Sequence, residues 1–344
     1  MKRLFALASM SIVLVMAGSA VAQTRPWTGK SIVHDPEWQG RFLGSYGFLS
    51  GAEPKISDAE LLLLRDVLEL MKTDPAAASV MLQQQITASS SASLDFVLAN
   101  LEFQAQNLDA AAAHYERAIE KFPDFRRAHK NLGLLRVQQG NFEKGVEHLS
   151  RALELGDRDG RTYGLIGYCH INLESYLAAE QAYRNAILDE PEVRDWQLGL
   201  ARSLLATEEY KEAVALFESL IAEAPDDPTL WMLQANAYLG VDEPLAAAVN
   251  LEAVRMMGKA QNSSLVLLGD IYMNAGMYEL AKNAYLEVIR SDQGATQLST
   301  AYRAADLLVR ARSYDEAQEV LSSIDERYSA QLSQDDELKL LTLR

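Results

Sequence analysis

From Ala92 onward the small and apolar positions fall into paired runs at helical spacing, and the pair recurs every 34 residues. In the first run of each pair a small residue stands at Ala99, Gly133, Gly167, Ala201, Ala235 and Gly269. In the second run a small residue stands at Ala111, Gly145, Ala179, Ala213, Ala247 and Ala281. One helical turn later comes a large residue: Tyr115, Leu149, Tyr183, Phe217, Leu251 and Tyr285. Proline closes the copy at Pro123, Pro191 and Pro225, with Asp157, Lys259 and Gln293 in the same slot elsewhere. The pattern predicts helix pairs starting at Ala92, Arg126, Gly160, Arg194, Pro228 and Asn262. A seventh pair follows a two-residue insertion near Gly294, carrying Ala305, Tyr314, Ala317 and Leu321.

The residue types explain the spacing. Two helices approach closely only where Gly or Ala stands at the contact, and the aromatic or Leu fills the space beside it. Proline ends the second helix. One pair cannot bury its own apolar face, so neighbouring copies complete the core.

Before the repeats, Ser57-Asp58-Ala59-Glu60 reads as a capping box, followed by Leu61, Leu64 and Leu68 at helical spacing. A second helix follows Pro75. This pair, residues 57–91, lacks the aromatic and Gly positions and reads as a degenerate capping repeat. Residues 92–330 form the repeat array. Residues 331–344 are expected to make a capping helix, with Asp335, Asp336 and Glu337 at the end where the helix dipole favours anions.

Residues 23–56 have no helical period. They combine Pro26, Pro36 and Pro54 and several glycines with Trp27, Trp38, Phe42, Tyr46 and Phe48. So many aromatics are foreign to a disordered linker. Either the strip covers an end or a groove of the array, or it is a docking strip for a partner through residues such as Trp38, Phe42, Tyr46 and Phe48. Residues 1–22 have the form of a secretory signal peptide: Lys2-Arg3, an apolar run from Leu4 to Ala17, and Ala20-Val21-Ala22 before the cleavage point. The run is shorter than the ~20 residues that span a bilayer. Periplasmic export with no membrane insertion after cleavage is therefore expected.

The 344-residue chain is 49% hydrophobic and 23% charged, with net charge −16. Loss of Lys2 and Arg3 would take it to −18. Phosphate contacts need clustered Lys and Arg, so this balance argues against a nucleic-acid or anionic-membrane partner. The lone Cys169 lies among packing residues and reads as a small buried hydrophobe. No phosphate-cradling glycine loop, nucleophile motif or metal-ligand set is present, so no cofactor and no enzymatic activity are expected. His114 and His148 are 34 residues apart and are expected near each other on equivalent second helices.

The repeated offsets, seen most fully in Gly160–Val193 with Tyr163, Ile166, Gly167, Ala179, Tyr183, Ala186 and Pro191, resemble the tetratricopeptide (TPR) repeat. The resemblance covers residues 58–329. It implies an all-α, right-handed α-solenoid that binds a protein or peptide segment in a groove lined by first helices. Carried over position by position, the groove residues are Phe96, Asn100, Arg127, Lys130, Leu134, Tyr168, Leu198, Arg202, Met232 and Asn236. The twelfth positions, such as Phe103, Val137, Ile171 and Leu205, line the groove or belong to the core. The Lys, Arg and Asn sets with which some TPR domains grip a terminal carboxylate are incomplete here. Arg41-Phe42-Leu43-Gly44-Ser45-Tyr46-Gly47 and Ala52-Glu53-Pro54-Lys55, ahead of the repeats, resemble exported bacterial TPR proteins associated with TonB–ExbB–ExbD systems. That likeness implies contact with TonB- or ExbD-like periplasmic domains. The other readings are an assembly factor for an outer-membrane or secretion complex, and a regulatory subunit of an enzyme.

Overall fold

The computed structural model describes residues 53–290 and 296–328, together with 340, 342 and 343. The expected signal segment, the strip through residue 52, the insertion near Gly294 and most of the expected terminal helix lie outside the described residues. Those residues hold sixteen helices and no strand. They belong to two compact units, residues 1–207 and 208–344.

The first unit contains α1 (Asp58–Met71), α2 (Pro75–Gln85), α3 (Ala92–Gln104), α4 (Leu108–Lys121), α5 (Arg126–Gln138), α6 (Phe142–Glu154), α7 (Gly160–Asn172), α8 (Tyr176–Asp189) and α9 (Arg194–Ala206). The second contains α10 (Tyr210–Glu223), α11 (Pro228–Gly240), α12 (Pro244–Met256), α13 (Asn262–Asn274), α14 (Tyr278–Arg290), α15 (Thr296–Arg310) and α16 (Tyr314–Tyr328). Within each unit every helix packs on the next, and first helices of successive pairs also meet, α5 with α7 and α7 with α9 in the first unit. The fold is an all-α solenoid of helix pairs.

The first pair opens on the capping box read from Ser57: Glu60 N–H donates to Ser57 Oγ, and Ser57 N–H donates to Glu60 Oε2 at 2.9 Å. The other Glu60 oxygen accepts from Ser91 N–H at 2.7 Å, so one carboxylate caps α1 and ties down the entry to α3.

Apart from α1, each first helix is followed by one residue in the left-handed region: Gln106, Gly140, Glu174, Glu208, Asp242, Gly276 and Arg312, with φ between 55° and 73°. Only two of these are glycine. Between pairs, two devices stop the second helix. Before Pro123, Pro191 and Pro225 the capping residues Phe122, Glu190 and Ala224 are extended, with φ of −142°, −129° and −137°. Where Asp157 and Lys259 replace proline, the residue before them is Gly156 or Gly258, with φ of 92° and 67°. Asp157 N–H then donates to Ala152 O at 2.9 Å and Lys259 N–H to Val254 O at 3.1 Å, which is the left-handed glycine stop. The loss of proline in those copies is thus compensated one residue earlier.

The seam between paired helices follows the small-residue positions. A Cβ on Gly167 would stand 2.9 Å from the Tyr183 ring, and one on Gly269 2.5 Å from Tyr285. Ala99, Ala111, Ala179, Ala213 and Ala281 have no exposed surface. In the second unit Leu340 is buried in the core and Leu343 packs against it.

Candidate functional site

The first-helix face divides into three kinds of position. The first is closed. Phe96, Asn100 and Leu134 are buried, which corrects their expected place as groove surface. Phe96 packs on Phe125 at 4.9 Å and on Tyr115 at 5.9 Å between ring centroids. Asn100 is enclosed because it completes a hydrogen-bond network: Tyr115 Oη donates to Asn100 Oδ1, and Asn131 Nδ2 donates to the same oxygen at 3.0 Å. The second unit repeats the device. Tyr285 Oη donates to Asp270 Oδ1 at 2.6 Å, and Arg303 of the next first helix pairs with the other Asp270 oxygen. Asn100 and Asp270 are the ninth residues of their copies, and Tyr115 and Tyr285 the twenty-fourth. A Tyr at one place with an acceptor at the other was visible in the sequence as the signal that the ninth residue faces inward.

The second kind is basic and paired. Arg161 Nε stands 2.9 Å from Glu190 Oε1, whose other oxygen accepts from Trp196 Nε1 at 3.3 Å. Lys130 Nζ lies 2.7 Å from Asp159 Oδ2 and 3.6 Å from Asp157 Oδ2. Asp159 is held below its ordinary range because Lys130 and the backbone donor of Arg161 outweigh its burial. Arg127 pairs with Glu53: Nε is 2.5 Å from Oε1, and an Nη2–H donates to Oε2 at 2.9 Å. The guanidinium lies over the Phe96 ring, 5.0 Å from its centroid, and 6.0 Å from that of Phe125.

The third kind is half-buried: Tyr168, Leu198 and Arg202 in the first unit, Met232 and Asn236 in the second. Tyr168 meets Phe142 edge to face, with centroids 5.9 Å apart. Trp38, Phe42, Tyr46 and Phe48 lie outside the described residues. Asp195, at the start of α9, is raised by burial to about 6, against the opposing pull of Arg194.

The histidine pairing differs from the expectation. His148 meets His129 of its own copy, with Nδ1 atoms 3.2 Å apart, while His114 contacts Arg117. Repeats of the same spacing set equivalent side chains one copy apart, whereas two helices of one pair lie in direct contact, so His129 and His148 are the neighbours. Burial pushes the Cys169 thiol up to about 12, which makes it a packing group. Among the described residues no three His, Cys, Asp or Glu side chains form a metal-holding group, and no helix is long and apolar enough to cross a membrane.

Stacked helix pairs with a tightly packed seam and a partly open first-helix face define a repeat scaffold for protein–protein interaction. Tetratricopeptide repeat models match residues 96–160, 173–237 and 263–294, and the chain is a tetratricopeptide repeat protein. It is 23% identical over 214 residues to DnaJ homolog subfamily C member 3 of Gallus gallus, covering 58% of this chain and 42% of that one. It is 25% identical over 154 residues to intraflagellar transport protein 70A of Xenopus tropicalis, covering 45% and 23%. The chain therefore spans less than half the length of either relative. In structure it is similar to the C-terminal part of a TPR repeat-containing protein from Cytophaga hutchinsonii, with TM-score 0.54, 13% identity and coverage of 71% and 99%. That likeness concerns the fold alone.

Proposed function

We propose that this chain is a non-enzymatic adaptor of the bacterial envelope, exported to the periplasm with cleavage after Ala22, that holds a segment of another envelope protein on its first-helix face. The observation that carries the reading is the row Tyr168, Leu198 and Arg202. These side chains stay half-buried on α7 and α9, while the small residues beside them are consumed by packing. An aromatic, an aliphatic and a cationic group in sequence suit a peptide with mixed apolar and acidic side chains.

The partner class favoured is a TonB- or ExbD-like periplasmic domain. Its support is the Arg41–Gly47 and Ala52–Lys55 stretches and their place between an export signal and the repeats. The other candidates are components of an outer-membrane or secretion complex under assembly, or an enzyme the adaptor regulates.

In vivo crosslinking from a photoreactive residue at Tyr168 or Leu198 tests all of these. Capture of a TonB- or ExbD-like domain is the expected result. Capture of assembly components or of one enzyme would redirect the function to that class, and capture of cytoplasmic proteins only would overturn the compartment. Failure to capture any protein at either position would remove this face as the binding surface.

A further inference from the structure

Two first helices carry an arginine as the second residue of their copy, and the two find their carboxylates in different places. Arg161 is the second residue of its copy, and its carboxylate, Glu190, is the thirty-first residue of the same copy. Arg127 is the second residue of the preceding copy. The place equivalent to Glu190 is there Gly156, where the left-handed stop demands a glycine and no carboxylate can stand. The carboxylate at Arg127 is supplied instead by Glu53, 74 residues earlier and outside the repeats. Its side chain is 5% exposed and that of Arg127 16%, and the following Pro54 is buried. The Glu53 carboxylate thus lies against a receptor made by the Arg127 guanidinium and the Phe96 and Phe125 rings beneath it.

We infer that the Arg127–Phe96–Phe125 cluster is a carboxylate-binding site for an acidic side chain of a partner peptide, and that Glu53-Pro54 occupies it as an internal ligand in the resting chain. The inference deepens the adaptor reading and rests on it for the identity of the competitor. The planar guanidinium takes both carboxylate oxygens, and the rings beneath it exclude water from one side. Tethering gives Glu53 an effective concentration on the order of mM, so a weak contact suffices to fill the site. A partner must offer several contacts at once, and displacement of Glu53 would report its arrival. Neighbouring cations do not compete for the same acid: Lys130 is engaged by Asp157 and Asp159, and Arg161 by Glu190.

The probe is a fluorescein-labelled, amidated peptide with the sequence of residues 48–54, added to the full chain. Glu53→Gln in the chain weakens the internal ligand, so the probe should bind that variant about tenfold more tightly than the unsubstituted chain. A probe carrying Gln at its own Glu position should lose this binding, as should the chain with Arg127→Gln added. Equal affinity for both chains, or equal binding of the two probes, would overturn the inference. A second measurement needs no substitution. Excess probe should displace residues 53 and 54 and speed tryptic cleavage after the exposed Lys55 of the unsubstituted chain; an unchanged rate counts against it. These readouts are independent of capture at Tyr168 or Leu198, so the internal-ligand site and the wider adaptor reading fail separately.

Discussion

Gly199 of α9 lies against the ring of Tyr183, so closely that a Cβ at Gly199 would stand 2.2 Å from Tyr183 Cζ. Tyr183 is itself wedged on Gly167, so one ring fills the space between two glycines of successive first helices. The ring has no room to move, because it is fully enclosed. Gly199→Ala should therefore lower stability by roughly 1–3 kcal/mol through overpacking. Gly199→Ala with Tyr183→Leu should recover part of that loss. Thermal and urea unfolding followed by circular dichroism provide the measurement, and a neutral Gly199→Ala would show that the seam adjusts freely.

The left-handed turn residues make a prediction of opposite sign. Glu174 has φ of 55° and Gln106 of 63°, conformations that cost an L-residue roughly 1–2 kcal/mol. Glycine removes that strain but adds freedom to the unfolded chain, which offsets about half of it. Glu174→Gly and Gln106→Gly should each raise stability by roughly 0.5 kcal/mol. Gly258→Ala has open space around the new methyl but a φ of 67°, and should lower stability by on the order of 1 kcal/mol. Equal melting curves for Gly258→Ala and the unsubstituted chain would contradict the strain argument.

These glycines also mark how far the sequence could be read. The 34-residue period placed Gly167 against Tyr183 and Gly269 against Tyr285, because packing at a helix seam depends on side-chain size, which the sequence states directly. The stops at Gly156 and Gly258 were legible in principle, as a glycine one place before the missing proline. The role of Gly199 was not, because it meets a ring from the preceding copy and no fixed motif position records that contact. Polar pairing was harder still. Which way the Asn100 amide faces depends on Tyr115 and Asn131 together, and the partner of Arg127 comes from outside the repeats altogether. His148 meets His129 rather than His114 because contact within a pair is shorter than the step between copies.

The Asn100 network predicts an asymmetric response to substitution. Asn100→Leu would take away the buried oxygen to which both Tyr115 Oη and Asn131 Nδ2 donate. An unsatisfied buried group costs about 1–3 kcal/mol, so this variant should be markedly destabilised. Tyr115→Phe removes a donor while Asn131 still serves Asn100 Oδ1, and should cost about 1 kcal/mol. Chemical denaturation of both variants should preserve that order; the reverse order would mean that Asn100 is bonded elsewhere.

Two half-buried titrating groups, His148 and Asp195, pull stability in opposite directions over one pH range. Burial first and His129 second push His148 down to about 4, from an ordinary 6.5. The neutral pair has defined roles. His129 Nε2–H donates to Pro123 O at 3.0 Å, which leaves its Nδ1 to accept from His148 Nδ1–H. The unfolded chain therefore binds more protons than the folded chain between about pH 4 and 6.5, and this histidine's contribution is lost as pH falls through that window. Asp195 behaves in reverse. Burial raises it to about 6 from 3.8, so the folded chain holds the extra proton and stability falls as pH rises between those values. The two slopes oppose each other between about pH 4 and 6 in the unsubstituted chain. His148→Asn keeps a donor near His129 Nδ1 but cannot titrate, and should make the slope of melting temperature against pH in this range less positive than in the unsubstituted chain. Asp195→Asn should make that slope more positive. Parallel pH profiles for the two variants would show that neither side chain titrates in the environment described.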